Sequence, residues 1–97
     1  MKVAIASDEE GNQAKVSTQA GRALYFHIFE DGKKTEVISN PFALGGGGAG
    51  IAVAKMLTDK GVKKLVAGEI GGNMQEALDQ GGIEFSRSEG LVNDNAK

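Results

Sequence analysis

The chain has 97 residues, 40% of them apolar and 25% charged, with a formal net charge of −2. That length predicts one domain with one modest core. There is no cysteine, which excludes disulfides, thiolate zinc sites, thiolate-held iron–sulfur clusters and cysteine nucleophiles together. A single histidine excludes a multi-histidine metal site within one chain. No basic block is present to neutralise phosphates, so nucleic acid is not an expected partner. No apolar run is long enough to span a membrane and no signal segment opens the sequence, so the expected location is the cytoplasm.

Lys2 to Ser7, KVAIAS, is an unbroken apolar run and predicts a buried central strand. Asp8 to Asn12 is turn material at its end, and Gln13 to Ala23 shows no period, which reads as a loop with at most one helical turn. Leu24 to Glu30, LYFHIFE, is strongly β-prone, with Leu24, Phe26 and Ile28 on one face and Tyr25, His27 and Phe29 on the other. Asp31-Gly32 is a hairpin signal, Thr35 to Ser39 is the return strand, and Asn40-Pro41 stops it. This antiparallel pair is expected at one edge of the sheet.

Next comes the glycine-rich loop Gly45 to Gly48, followed by Ala49 and Gly50. Such a loop lets a ligand or another backbone approach the main chain closely. Ile51 to Leu57 is apolar on a broad face and predicts a helix lying across the sheet, with Gly61 as its left-handed cap. Leu65-Val66-Ala67 predicts a central parallel strand, and Gly68 to Gly72 turns into a second helix. Asn73 and Glu76 have capping-box spacing, Met74, Ala77 and Leu78 form the inner face, and Gly81-Gly82 ends it. Ile83 to Phe85 is a last short strand. Leu91 and Val92 anchor at most one helical turn, and the tail from about residue 90 is expected to fray. The order β, β-hairpin, α, β, α, β predicts a mixed sheet with helices packed on it, and places the glycine loop and the later glycine turn on one rim.

The motifs suggest several chemistries. Gly45, Gly47 and Gly50 formally match the dinucleotide-binding glycine pattern, with Glu69 at ribose-contact distance, but no strand directly precedes the loop. No Gly-Lys-Ser/Thr is present, which excludes an NTPase phosphate loop. Free amides at a helix start attract anions, and Arg22 adds a bidentate cation if its loop lies nearby. Asp8 and Glu69, each at a strand end, would form a Mg²⁺ pair for phosphoryl transfer if they lie side by side, but where a third carboxylate is expected on the first helix the sequence offers Ile51, Ala52 and Lys55. His27 is a weak metal candidate, and the outer face of the hairpin suits a subunit contact equally well.

MKVAIASD, VSTQAGRALYF, NPFA, GAGIAVAKMLTDKGVKKLVAGEIGGNMQEAL and GGIEF followed by EG occur in one order and spacing. Together they make the chain resemble the dinitrogenase iron–molybdenum cofactor biosynthesis family of NifX-like and NafY-like carriers. The resemblance implies a ribonuclease H-like α/β/α three-layer sandwich with a five-stranded mixed sheet, in which the first hairpin strand is the one antiparallel strand. It implies a non-catalytic carrier of an iron–molybdenum or other metal–sulfur cluster, acting with a protein partner in cofactor assembly. The chain departs from the family pattern where His-Phe precedes Gly-Arg: Gln19-Ala20 stand there instead. Glutamine is a poor iron ligand. The site is therefore expected to capture an anionic cluster or oxyanion without ligating it, through Ser17, Gln19, Gly21, Arg22 and the backbone of Gly46, Gly47, Gly48 and Gly50. Two alternatives stay open: an interaction module that has lost cluster binding, and a Mg²⁺-dependent nuclease using Asp8 and Glu69.

Overall fold

A computed structural model describes residues 1–44 and 48–96. The elements are β1 (Lys2–Ser7), β2 (Tyr25–Glu30), β3 (Lys33–Ser39), α1 (Ala49–Asp59), β4 (Lys64–Ala67), α2 (Gly72–Gln80), β5 (Glu84–Arg87) and a final 3₁₀ turn, Asn93–Asn95. The five strands form one sheet in the order β3-β2-β1-β4-β5. β2 is antiparallel to both of its neighbours, whereas β1, β4 and β5 pair in parallel. The hairpin turn has Asp31 and Gly32 both at positive φ, 53° and 84°, as a two-residue turn matched to strand twist requires. Among the described residues no helix is long and apolar enough to cross a membrane.

Both helices pack on the same face of the sheet. Val53, Ala54 and Leu57 of α1 and Met74 and Leu78 of α2 share one buried cluster with Ala4, Ala6, Phe26, Ile28, Leu65 and Ala67. The expected three-layer α/β/α arrangement is thus corrected to one helical layer. Connectivity explains this. The crossovers β3–α1–β4 and β4–α2–β5 move across the sheet in the same direction, and crossovers of one hand moving one way stack on one face.

The other face is covered by irregular chain. Ile5, Phe29 and Val66 pack there against Ala14, Val16 and Val92, with Val3 and Ala96 alongside. Two isolated bridges, Ser7 to Val16 and Lys15 to Leu91, fasten these segments to β1 and to each other. Residues 13–23 therefore hold no helical turn, and Val16 replaces it as a core residue. The tail is docked through Ala96, not frayed: Val92 is buried, and the Asn95 amide donates to the carbonyls of Leu91 at 2.8 Å and Glu89 at 3.1 Å. α2 begins at Gly72 with Gly71 as its N-cap and no side-chain cap, so the Asn73/Glu76 capping box does not form. Gln75 instead donates to the Ile70 carbonyl at 2.8 Å.

Candidate functional site

β1 and β4 lie side by side, and the chain leaves them in opposite directions, β1 toward β2 and β4 toward β5. In an open α/β sheet this divergence at the carboxyl ends leaves a crevice where ligands bind. A cavity of about 430 Å³ occupies that position. The loop after β1 supplies Gln19, Ala20, Gly21 and Arg22, and the turn after β4 supplies Glu69. The remaining walls are the N-terminus of α1, from Gly48 to Ile51, and that of α2, from Gly71 to Met74.

Two close approaches bring these walls together. A Cβ on Gly50 would lie 2.9 Å from the Met74 Cβ, so only glycine lets α1 and α2 pack there. Gly21 rests against the Gly50 backbone, where a Cβ would be 3.4 Å from its Cα. The loop itself is pinned at its start. Ser17 N–H donates to the Ala6 carbonyl at 2.7 Å, Gly68 N–H to the Ser17 carbonyl at 2.8 Å, and Ala20 N–H to the Glu69 carbonyl at 2.9 Å.

The electrostatics follow from the helix ends. The first intrahelical bonds of α1 and α2 run from Ala52 N–H to the Gly48 carbonyl and from Gln75 N–H to the Gly71 carbonyl. No side chain caps either terminus, and neither first turn carries an acid. The amides of Ala49, Gly50 and Ile51 and of Gly72, Asn73 and Met74 are therefore not consumed within the helices. Each terminus acts as roughly half a positive charge. Arg22 is exposed on the same cavity and makes no ion pair among the described residues. Glu69 opposes this field.

The expected site residues divide. Gln19, Gly21, Arg22, Gly48 and Gly50 meet at the cavity. Gly50 serves helix packing, whereas Gly48, at φ 89°, has open space around it. Gly46 and Gly47 lie outside the described residues. Ser17 is not on this cavity. It is buried, bonds its hydroxyl to the Asp8 carboxylate and the Gln19 backbone, and faces a second cavity of about 520 Å³ with Thr18, Glu69 and Arg87. Asp8 also accepts Leu24 N–H at 3.1 Å, so its carboxylate braces the loop. Missed in the sequence were the α2 amides as a second donor set. The glycine pair before Asn73, already placed on the same rim, was the available signal.

His27 is on the opposite face of the sheet, paired across from Ile5, and fully buried. Its Nε2 lies 2.7 Å from the Glu9 carbonyl and its Nδ1 has no partner. A neutral ring donating from Nε2 fits both facts. Burial lowers its pKa from the ordinary value, helped by Lys34 and opposed by the Glu9 carbonyl and Glu10. The ring thus belongs to neither the cavity nor an outward contact face, because irregular chain covers the side of the sheet expected to be open.

The donor set at the cavity holds no thiol or imidazole, and no group of three or more His, Asp or Glu among the described residues could hold a metal ion. The residues fit an anion held by hydrogen bonds and charge, and do not fit metal ligation.

The sequence model for dinitrogenase iron–molybdenum cofactor proteins matches residues 1–97. The apo form of the orange protein from Desulfovibrio gigas superposes with a TM-score of 0.88 at 28% identity, covering 98% of this chain and 82% of that one. A putative NifB protein from Thermotoga superposes with a TM-score of 0.81 at 34% identity, covering 98% and 82%. A comparison with curated proteins gave no match.

Proposed function

The chain belongs to the dinitrogenase iron–molybdenum cofactor family, and from that premise we propose that it is a non-catalytic binding protein for an anionic metal–sulfur cluster or a related oxyanion. The observation that carries this reading is the convergence of two uncapped helix N-termini and Arg22 on one cavity. Taking each terminus as about half a charge, the guanidinium as one and Glu69 as its opposite, the walls present about one net positive charge. Six amides and the Arg22 fork can donate into the space. Capture by hydrogen bonds leaves the metal's own ligand shell intact, so cargo can be passed on to a protein partner in cofactor assembly without breaking a protein–metal bond. No catalytic residue is assigned.

Anaerobic reconstitution with molybdate, iron and sulfide tests the reading by elemental analysis and absorption. Retained metal that falls several-fold in Arg22→Ala supports it. Retention unchanged by Arg22→Ala, or absent from the wild type, overturns it. One observation favours a second reading, an interaction module without cargo: Gln19 lines the cavity where the family pattern has histidine. That reading expects a metal-free, colourless protein that still binds a partner in a pull-down.

A further inference from the structure

We infer that Asn40 is the positioning residue that holds Arg22 at the cavity. This rests on the anion-cradle reading of the same site. Asn40 is 7% exposed, and every polar atom it owns is used. Its side-chain Nδ2 donates to the carbonyls of Gly21 at 3.2 Å and Ala23 at 2.8 Å. These are the residues on either side of Arg22. Its Oδ1 accepts Phe42 N–H at 2.9 Å, closing a turn over Pro41. Its own N–H donates to the Leu24 carbonyl at 2.9 Å, and its carbonyl accepts Ala43 N–H at 3.3 Å.

Only an amide side chain meets this demand. Two hydrogens are needed toward two carbonyls and one oxygen toward one N–H. The reversed amide, or an aspartate, would set lone pairs against lone pairs. The Gly21–Arg22 and Ala23–Leu24 peptide units are thereby tied to the turn that follows β3, while the guanidinium stays free for a ligand. A cation held in place by a buried bracket binds without the ordering cost that a loose loop carries. Asn40 touches no ligand itself. It acts through Arg22.

A double-mutant cycle on the full chain tests this, with tetrathiomolybdate as the probe in anaerobic titrations and melting curves recorded in parallel. Arg22→Ala and Asn40→Ala are each expected to weaken binding about tenfold, the size of one lost charge-assisted contact. The double variant is expected to be no weaker than Arg22→Ala alone, because Asn40 has nothing left to position. Should Asn40→Ala not fold, Asn40→Ser takes its place in the cycle. Its hydroxyl can still accept Phe42 N–H, it adds no charge, and it lacks the amide that bonds the Gly21 and Ala23 carbonyls. Wild-type affinity in the Asn40 variant, or losses that add in the double, would overturn the assignment while leaving the cavity reading intact. Arg22→Ala binding as tightly as the wild type would overturn both.

Discussion

Gly68 directly follows β4, against the loop that carries Gln19 and Arg22, and Gly68→Ala should loosen both the fold and the cavity. A Cβ there would meet the Thr18 Cα at 2.7 Å and the Ser17 carbonyl oxygen at 2.9 Å, both backbone atoms that no rotamer change can move. Gly68 does not have a positive φ, so alanine strains no torsion and the cost is steric. Ordinary contact begins near 3.4 Å, so strand and loop must part by about 0.7 Å. Forced overpacking of this kind costs about 1–3 kcal/mol. The 2.8 Å bond from Gly68 N–H to the Ser17 carbonyl is stretched at the same time, for about 1 kcal/mol more. A total of about 2–4 kcal/mol corresponds to a melting point lower by roughly 10–25 °C in a domain of this size. Calorimetry or circular dichroism measures it, with Gly11→Ala as the control, since Gly11 has nothing within 4 Å of its added Cβ. Gly68→Ala melting within about 3 °C of the wild type would show that the Ser17–Thr18 crossing is not the rigid support assigned to it.

Two further outcomes test the other face of the sheet. Burial lowers the His27 pKa, so the unfolded chain binds more protons once pH drops below about 6.5. The stability of the neutral ring is therefore fully present above that pH and is lost as pH falls through the folded-state value. The melting temperature should decline between pH 7 and pH 5, and the decline should flatten in His27→Leu; identical slopes would exclude His27 as the cause. Val92→Ala removes two buried methyl groups from the docked tail and should cost about 1–2 kcal/mol, with faster amide exchange at Val16, whose N–H donates to the Gly90 carbonyl at 2.8 Å. Unchanged exchange at Val16 would mean the tail is not fastened there.

Most of the helical face could be read from the chain because its signals are local. The apolar run of β1, the Asp-Gly turn, Gly61 at φ 81° and the Leu65–Ala67 strand each depend on neighbours in sequence. The opposite face could not be read, because Ala14, Val16 and Val92 share no period and come from distant segments. For the same reason Tyr25, His27 and Phe29 looked outward when nothing local announced their cover. At the cavity, the Gly-Arg pair, Gly48 and Gly50 were recognisable by type. What each glycine does was not: Gly50 makes room for Met74, a partner many residues away. Asn40 looked like a strand stop, since a side chain that bonds two distant carbonyls leaves no mark beyond the residue before proline.

The bridge from Lys15 to Leu91 joins the segment after β1 to the segment after β5. During synthesis the face of the sheet away from the helices therefore stays incomplete until Leu91 and Val92 have emerged from the ribosome. A stalled nascent chain lacking those residues would display Ile5, Phe29 and Val66 to the surroundings, a natural handle for a chaperone.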